Sequence, residues 1–290
     1  NPNLFNSHFL LGTILIGQKK LKDAEQPLRK TIELKPDFVE AHQNLGKVLY
    51  TIRKPEEAFD YFIESIKIDP KEIKYYSSIV SFLESTEPSK LNQRNLRYIL
   101  SILFNEKHIN HTSLFLGFNH LYKKELLDKL QKSISNSNIE ETLKILINDE
   151  LLINALRKVV FKDMDWEKIL TIIRKQILDR FILKSNSINK SHLKFICALA
   201  EQCFINEYIY SKSPHENQTV ENIIKSFKSV EISEISISLL ACYYPLYKLI
   251  DQIPSLNNIC ISNDSVKELL KLQIHEPNEE IFLSKKIREI

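Results

Sequence analysis

A step of 34 residues recurs through the first part of the chain. Proline, a Leu-Gly pair and alanine each return at this step, at Pro2, Pro36 and Pro70, Leu11-Gly12 and Leu45-Gly46, and Ala24 and Ala58. A fixed period of this length is typical of helix–turn–helix units that stack into a solenoid, because one hairpin cannot bury its apolar face alone. Such an array offers a binding surface and contains no chemistry of its own.

Small residues recur where the two helices of one hairpin would touch. Gly12 and Gly46 lie midway along the first helix, where the missing side chain lets the second helix approach. Ala24 and Ala58 are the matching small residues on the second helix. Leucine and isoleucine at helical spacing supply the apolar face between hairpins, and the recurring prolines end one unit and open the next.

This combination of residues resembles the tetratricopeptide repeat. Two full repeats are visible, and a degenerate third begins at Ile73. His8 and His42 stand where the family commonly has tryptophan, and Leu15 stands where it commonly has tyrosine. The resemblance implies a groove, lined by the first helix of each hairpin, that binds a protein or peptide segment.

First-helix residues that point away from the second helices are the expected contacts of that segment. They are Asn6, Phe9, Thr13 and Ile16 in the first repeat, and Glu40, Gln43, Lys47 and Tyr50 in the second. The clamp that holds a peptide carboxylate in chaperone-binding repeats is incomplete here, although Asn44 and Lys74 match two of its positions. The peptide ligand itself stays open.

The 34-residue register is lost beyond residue 88, although helical patterning continues. We expect repeats over 1–88, truncated at the N-terminal side, a helical connector over 89–138 and an all-helical domain over 139–290. The chain has 4 glycines and is rich in leucine, isoleucine, lysine and glutamate, which favours helices over strands. The predicted fold class is all-α, a solenoid of tetratricopeptide-like hairpins followed by an irregular all-helical domain.

Composition argues against several kinds of partner. The net charge is +3 and the two signs are interspersed, so no nucleic-acid partner is expected. No apolar run approaches the length of a membrane span. The 4 cysteines form no CxxC pair, and we expect them to be reduced core residues of a cytoplasmic protein. His108 and His111 have no further ligands beside them, so no metal site is expected.

One acidic residue continues the apolar stripe of a predicted helix. The helix is expected over His192–Tyr210, and Glu207 follows Cys203 by one turn on its apolar face. A carboxylate that is partly buried in this way must find a donor or undergo a rise in its pKa. Glu207 is therefore either a substrate-facing acid or a structural acid that a neighbouring helix satisfies.

A proline interrupts the helical pattern late in the chain. Pro245 should free the carbonyl of Ala241 and kink the helix there. Tyr243 and Tyr247, which lie beside the proline, are either core residues or, together with Glu207, the lining of a candidate pocket.

Four blocks in the second half form a second pattern, and they begin at Leu152 (LINALRKVVFKDMDWEKILTIIRKQIL), Phe195 (FICALAEQCFINEYIY), Leu239 (LLACYYPLYKLIDQIPS) and Leu272 (LQIHEPNEEIFLSKKI). They resemble the region between repeats and catalytic domain in bacterial tetratricopeptide-repeat proteins fused to a class I S-adenosylmethionine-dependent methyltransferase. The resemblance implies a methyltransferase domain after Ile290. S-Adenosylmethionine is expected only there, because no glycine follows Gly117 to form the turn that its binding needs.

Three functions fit these observations. The chain is a non-catalytic scaffold that recruits substrate for a methyltransferase in the same parent polypeptide, a free-standing repeat adaptor, or an enzyme that uses Glu207, Tyr243 and Tyr247 directly. A repeat region fused to a sulfotransferase or a glycosyltransferase is a variant of the first. In the first two cases the chain itself carries no catalytic residue.

Overall fold

The computed structural model of the chain describes residues 4–135, 139–161, 163–183, 190–227 and 232–280. Within these ranges all regular structure is helical and no strand occurs, which confirms the all-α class. The α-helices are α1 (Leu4–Gly17), α2 (Leu21–Leu34), α3 (Val39–Thr51), α4 (Pro55–Ile68), α5 (Ile73–Ser85), α6 (Gln93–Leu103), α7 (Phe115–Ser135), α8 (Ile139–Leu146), α9 (Glu150–Lys158), α10 (Met164–Leu183), α11 (Leu193–Ile205), α12 (Pro214–Ser226), α13 (Glu234–Ala241) and α14 (Asp264–Leu270). A π-helical turn, Lys271–His275, follows α14.

The helices divide between two compact units, Asn1–Tyr122 and Lys123–Ile290, and α7 begins in the first and ends in the second. The boundary at 88 that the sequence suggests stays a prediction. The first recurring proline, Pro2, and the predicted boundary at 138 lie outside the described residues.

The hydropathy of the helices and the location of the cysteines are both predicted from the sequence. No helix of the described ranges is both long and apolar enough to cross a bilayer. All 4 cysteines are free thiols, and Cys197, Cys203 and Cys242 are buried. Cys260 is exposed, so the expectation that every cysteine lies in the core is wrong for this residue.

The first two hairpins, α1 with α2 and α3 with α4, show the close contact that their small residues predict. A methyl group added at Gly12 would lie 2.8 Å from Leu28 Cγ, and one added at Gly46 would lie 3.0 Å from the Phe62 ring. The recurring alanines of the second helices, Ala24 among them, are completely buried. The small-residue contact that the sequence predicts is therefore present in both hairpins.

The helix α5, where the sequence predicts a degenerate third repeat, packs on α4 through aromatic rings. The ring centroid of Phe82 lies 5.6 Å from that of Phe59 and 5.4 Å from that of Phe62. Val80 stands where the first two repeats have glycine, and a 3₁₀ turn at Pro88–Lys90 separates α5 from α6. The close glycine contact of the first two hairpins is therefore not repeated.

The second unit is built around α11, which packs against α9, α13 and α14. Nearly every side chain of α11 is buried, as in a helix that is surrounded by others. Trp166 and Arg174 of α10 are the two largest completely buried side chains in the described part of the chain. A charged residue, Arg174, thus lies inside this unit.

The helix α11 ends at Ile205, whereas the sequence predicts that it continues to Tyr210. Glu207 and Tyr208 both have a positive φ, 53° and 58°, which turns the chain away from the helix axis. Neither glycine nor proline marks this stop, but Asn206, which directly follows Ile205, is a residue type that favours a helix end. Glu207 is exposed as a result, and the expectation of a partly buried acid is wrong.

The helix α13 ends at Ala241, and Pro245 precedes a 3₁₀ turn at Leu246–Leu249. The break frees the carbonyl of Ala241, as predicted, although the helix stops there and does not continue after a kink. The freed oxygen accepts hydrogen bonds from the Tyr208 hydroxyl at 3.0 Å and from the Gln273 amide at 3.4 Å.

Candidate functional site

The predicted groove residues of α1 differ in how accessible they are. Asn6 and Thr13 are exposed, whereas Phe9 and Ile16 are half-buried. The Thr13 hydroxyl donates to the carbonyl of Phe9 at 2.9 Å, so this hydroxyl is already bonded within its own helix. At this end the groove therefore offers the Asn6 amide and the edge of an aromatic ring.

Three phenylalanines form a cluster at the start of α1 and α3. The Phe38 ring meets Phe9 edge-on at 4.7 Å and Phe5 at 5.4 Å between centroids. The Lys35 ammonium lies 4.7 Å from the Phe5 centroid and 5.4 Å from that of Phe38, which is cation–π geometry. Phe38 and Lys35 are not among the residues that the sequence predicts here, although Phe5 and Phe9, one turn apart, signal an aromatic edge.

Gln43 points into its own repeat and not into the groove. It is 5% exposed, and its amide donates to the hydroxyl of Ser65 on α4. The prediction that it points away from the second helix is wrong, because the buried Ser65 gives the amide a partner inside the hairpin. Glu40 and Lys47 on the same helix are exposed. Their part in binding stays a prediction.

The side chain of Tyr50, near the end of α3, packs against α5. It is half-buried, its ring meets Phe82 edge-on at 5.3 Å, and its hydroxyl donates to the carbonyl of Ser85 at 3.4 Å. Because the ring packs on α5, Tyr50 contributes to the fold, and its part in binding stays a prediction.

Charged groups of α3 and α5 influence one another. A hydrogen bond with Tyr75 raises the pKa of Lys74, and the carboxylates of Glu72 and Glu40 add to this rise. Burial raises the pKa of Tyr75, and the nearby Glu40 raises it further. Lys74 therefore remains a cation and Tyr75 remains neutral at physiological pH. The first helices present both signs of charge to a ligand.

In the second unit, two of the three predicted pocket residues line one cleft. Glu207 and Tyr247 both face a cleft of about 690 Å³ beside the end of α11. Tyr243 does not line it, since its ring is 1% exposed and is directed into the protein interior. The expectation that the three residues share a pocket is therefore wrong for Tyr243.

Tyr243 belongs to a buried cluster with Arg174 of α10 and Glu216 of α12. Its hydroxyl donates to Glu216 Oε1 at 2.9 Å, and the Arg174 guanidinium lies 4.4 Å from its ring centroid. Arg174 Nη2 is 3.6 Å from Glu216 Oε1. Burial acts to raise the pKa of Glu216. Hydrogen bonds from Ser213 and Tyr243 and the charge of Arg174 outweigh this effect, so the pKa lies below its ordinary value. The cluster is an ionic cross-link in the core.

The groove and the cleft both offer groups for non-covalent binding. Across the described ranges, no three His, Cys, Asp or Glu side chains come together as a metal site. The groove offers aromatic edges and mixed charges, and the cleft offers aromatic and apolar walls with charges at its rim.

Comparison with known proteins points to the repeat unit. Residues 39–72, which include α3 and α4, match the model of the tetratricopeptide repeat. The chain contains a tetratricopeptide repeat. "Protein O-mannosyl-transferase TMTC3" of Homo sapiens is 26% identical over 109 residues, which are 37% of this chain and 12% of the human protein. The protein of the same name from Mus musculus is 25% identical over 88 residues, 30% of this chain and 10% of its own length. The chain thus spans only a small part of the curated relatives it matches.

Proposed function

We propose that the chain is a non-catalytic scaffold whose repeat hairpins bind a protein or peptide segment. The tetratricopeptide repeat at 39–72 carries this proposal, because solenoids of such repeats provide extended surfaces for binding. The exposed side chains of the first helices support it: Asn6 on α1 and Glu40 and Lys47 on α3 can contact a segment that crosses both helices.

In this proposal the scaffold serves a transferase domain of the same parent polypeptide. The four blocks that begin at Leu152 resemble a methyltransferase-linked region, which supports recruitment of substrate for a methyltransferase in cis. S-Adenosylmethionine would bind to that domain and not to this chain, since no glycine follows Gly117. The free thiols support a cytoplasmic location.

A glycosyltransferase parent is the second candidate, and the similarity to the O-mannosyl-transferase TMTC3 favours it. The coding sequence beyond Ile290 distinguishes the two. A strand followed by a glycine-rich turn and a helix supports the methyltransferase, whereas a sugar-nucleotide-binding or phosphosulfate-binding domain assigns another transfer reaction. A stop codon directly after Ile290 supports a free-standing adaptor.

The groove is tested by reversing two exposed charges of α3. The double variant Glu40→Lys/Lys47→Glu conserves net charge, and both side chains are exposed, so we expect the fold to be retained. Proteins that the wild-type chain captures in a pull-down, identified by mass spectrometry, should be lost from this variant. The matched control Glu33→Lys/Lys67→Glu changes exposed residues of the second helices and should capture the same proteins. Equal capture by both variants would contradict the proposal.

A further inference from the structure

The cleft beside the end of α11 has the size and the walls of a small-molecule site. Its volume is about 690 Å³, and ligand pockets commonly have about 300–1,000 Å³. Phe204, Ile205, Pro245, Leu272 and Pro277 give its walls an apolar surface. The cleft lies within the second unit, and the repeat hairpins belong to the first.

Hydrogen bonds fix the walls of the cleft. The Tyr208 hydroxyl lies 3.0 Å from the carbonyl oxygen of Ala241 and 3.2 Å from Gln273 Oε1. The Gln273 amide nitrogen donates to the carbonyl of Ala200 at 3.2 Å, and its oxygen accepts from the Leu246 N–H at 3.3 Å. One buried amide therefore joins α11, the chain around the end of α13 and the π-helical turn. Such a preformed site needs little ordering when a ligand binds.

Charged side chains line the rim of the cleft. They are Glu207, Glu280 and Lys248, and none of them forms an ion pair with another residue that the structure describes. Among the described residues of the rim, two carboxylates and one ammonium give a net negative charge. The Lys248 ammonium lies 5.8 Å from the ring centroid of Tyr247, so this ring already has a cation near its face.

The backbone holds Glu207 at the rim in an unfavourable conformation. Its φ is 53° and that of Tyr208 is 58°, a region that residues with a side chain seldom adopt. The turn is maintained because the Tyr208 hydroxyl is bonded inside the unit, while the Glu207 carboxylate stays exposed. The fold thus places a free carboxylate above apolar walls.

We propose that this cleft binds a small organic ammonium ion that carries an apolar body. The body packs against Phe204 and Leu272, and the ammonium group is attracted by the Glu207 and Glu280 carboxylates. An organic anion of the same shape would meet two carboxylates and is repelled.

Two probes of similar shape and opposite charge test this proposal, 2-phenylethylammonium and 3-phenylpropanoate. Their affinities for the full chain are measured by saturation-transfer-difference NMR near neutral pH. We expect the ammonium ion to bind about five-fold or more tightly than the carboxylate. Equal affinities, a preference for the carboxylate, or no binding of either probe at millimolar concentration overturns the proposal.

Two single variants should change the affinity for 2-phenylethylammonium in opposite directions. Glu207→Gln should weaken binding about three-fold, and Lys248→Gln should strengthen it about two-fold. The control Glu221→Gln, on α12 and outside the cleft lining, should bind like the wild type. All three side chains are exposed, so folding is expected to be retained, and circular dichroism checks this. An unchanged affinity in Glu207→Gln, or shifts of the same sign in both cleft variants, overturns the proposal.

Discussion

The two units of the molecule bury different kinds of side chain. Among its described residues, the repeat unit buries no Asp, Glu, Lys or Arg, whereas the second unit buries Arg174, Glu201 and Glu216. In the repeats one contact recurs, so glycine and alanine at fixed positions are enough to align the helices. In the described part of the second unit, paired charges and buried amides join the helices instead. Repetition and buried polarity are thus two ways to specify helix packing.

The largest expected effect is the loss of stability when a buried ion pair is broken, compared with the loss when a surface ion pair is broken. Glu216→Leu should destabilise the second unit by about 3–5 kcal/mol, because it leaves the buried Arg174 charge without its partner. Glu57→Leu removes a surface partner of Arg29 in the repeat unit and should cost less than about 1 kcal/mol. Urea unfolding measured by circular dichroism gives both values. Similar losses in the two variants would mean that burial of charge does not distinguish the units.

The next effect is a pH dependence that belongs to the second unit. Burial raises the pKa of Glu201 to about 7, because the charge of Arg157 offsets only part of the lost hydration and Glu268 adds repulsion. The ordinary value is 4.5, so between these values the folded state holds a proton that the unfolded chain releases. Stability therefore falls as the pH rises from about 4.5 to about 7, by roughly 3 kcal/mol for this group.

The variant Glu201→Gln should remove this fall in stability, since it cannot release the proton. The measurement is the difference between wild-type and variant free energies of unfolding at several pH values, which cancels the contributions of other groups. Glu25 of the repeat unit offers a contrast. Burial acts to raise its pKa, but hydrogen bonds from Lys54 and Arg29 outweigh this and lower it, so its contribution is lost as the pH falls. Parallel pH profiles of wild type and Glu201→Gln would refute the assignment.

The smallest expected effect tests the recurring small-residue contact. Ala58 is completely buried in its hairpin, so Ala58→Leu should overpack the interface and destabilise the repeat unit by about 1–3 kcal/mol. Glu64→Leu, on the same helix but with a side chain that is 46% exposed, should change stability by less than about 0.5 kcal/mol. Equal melting temperatures of the two variants would show that the repeat register is wrong.

The repeats were predictable because their determinants are local and occur twice. Gly12 and Gly46 each face the residue that the register places opposite them, Leu28 and Phe62. The departure at Gln43 could not be read from the register, because it depends on a hydroxyl at Ser65 that gives the amide a buried partner.

The second unit was predictable in class but not in detail. Its helices have apolar faces, yet the end of α11 depends on positive φ angles at Glu207 and Tyr208, residues that carry no sequence signal for a stop. The candidate pocket was predicted only in part for the same reason. Tyr243 is drawn into the core by Glu216, which lies on another helix and whose proximity only the fold creates.

The buried amide of Gln273 has a consequence for the ancestry of this chain. Because Pro245 ends a helix, the oxygen of Ala241 needs donors from elsewhere, and Gln273 is one of them. Loss of that donor would leave the Ala241 oxygen with one hydrogen bond fewer and would lower the free energy of unfolding by up to about 1–3 kcal/mol. Positions 245 and 273 should therefore covary among homologues, and lineages that regain a continuous helix at 245 should be free to replace the glutamine.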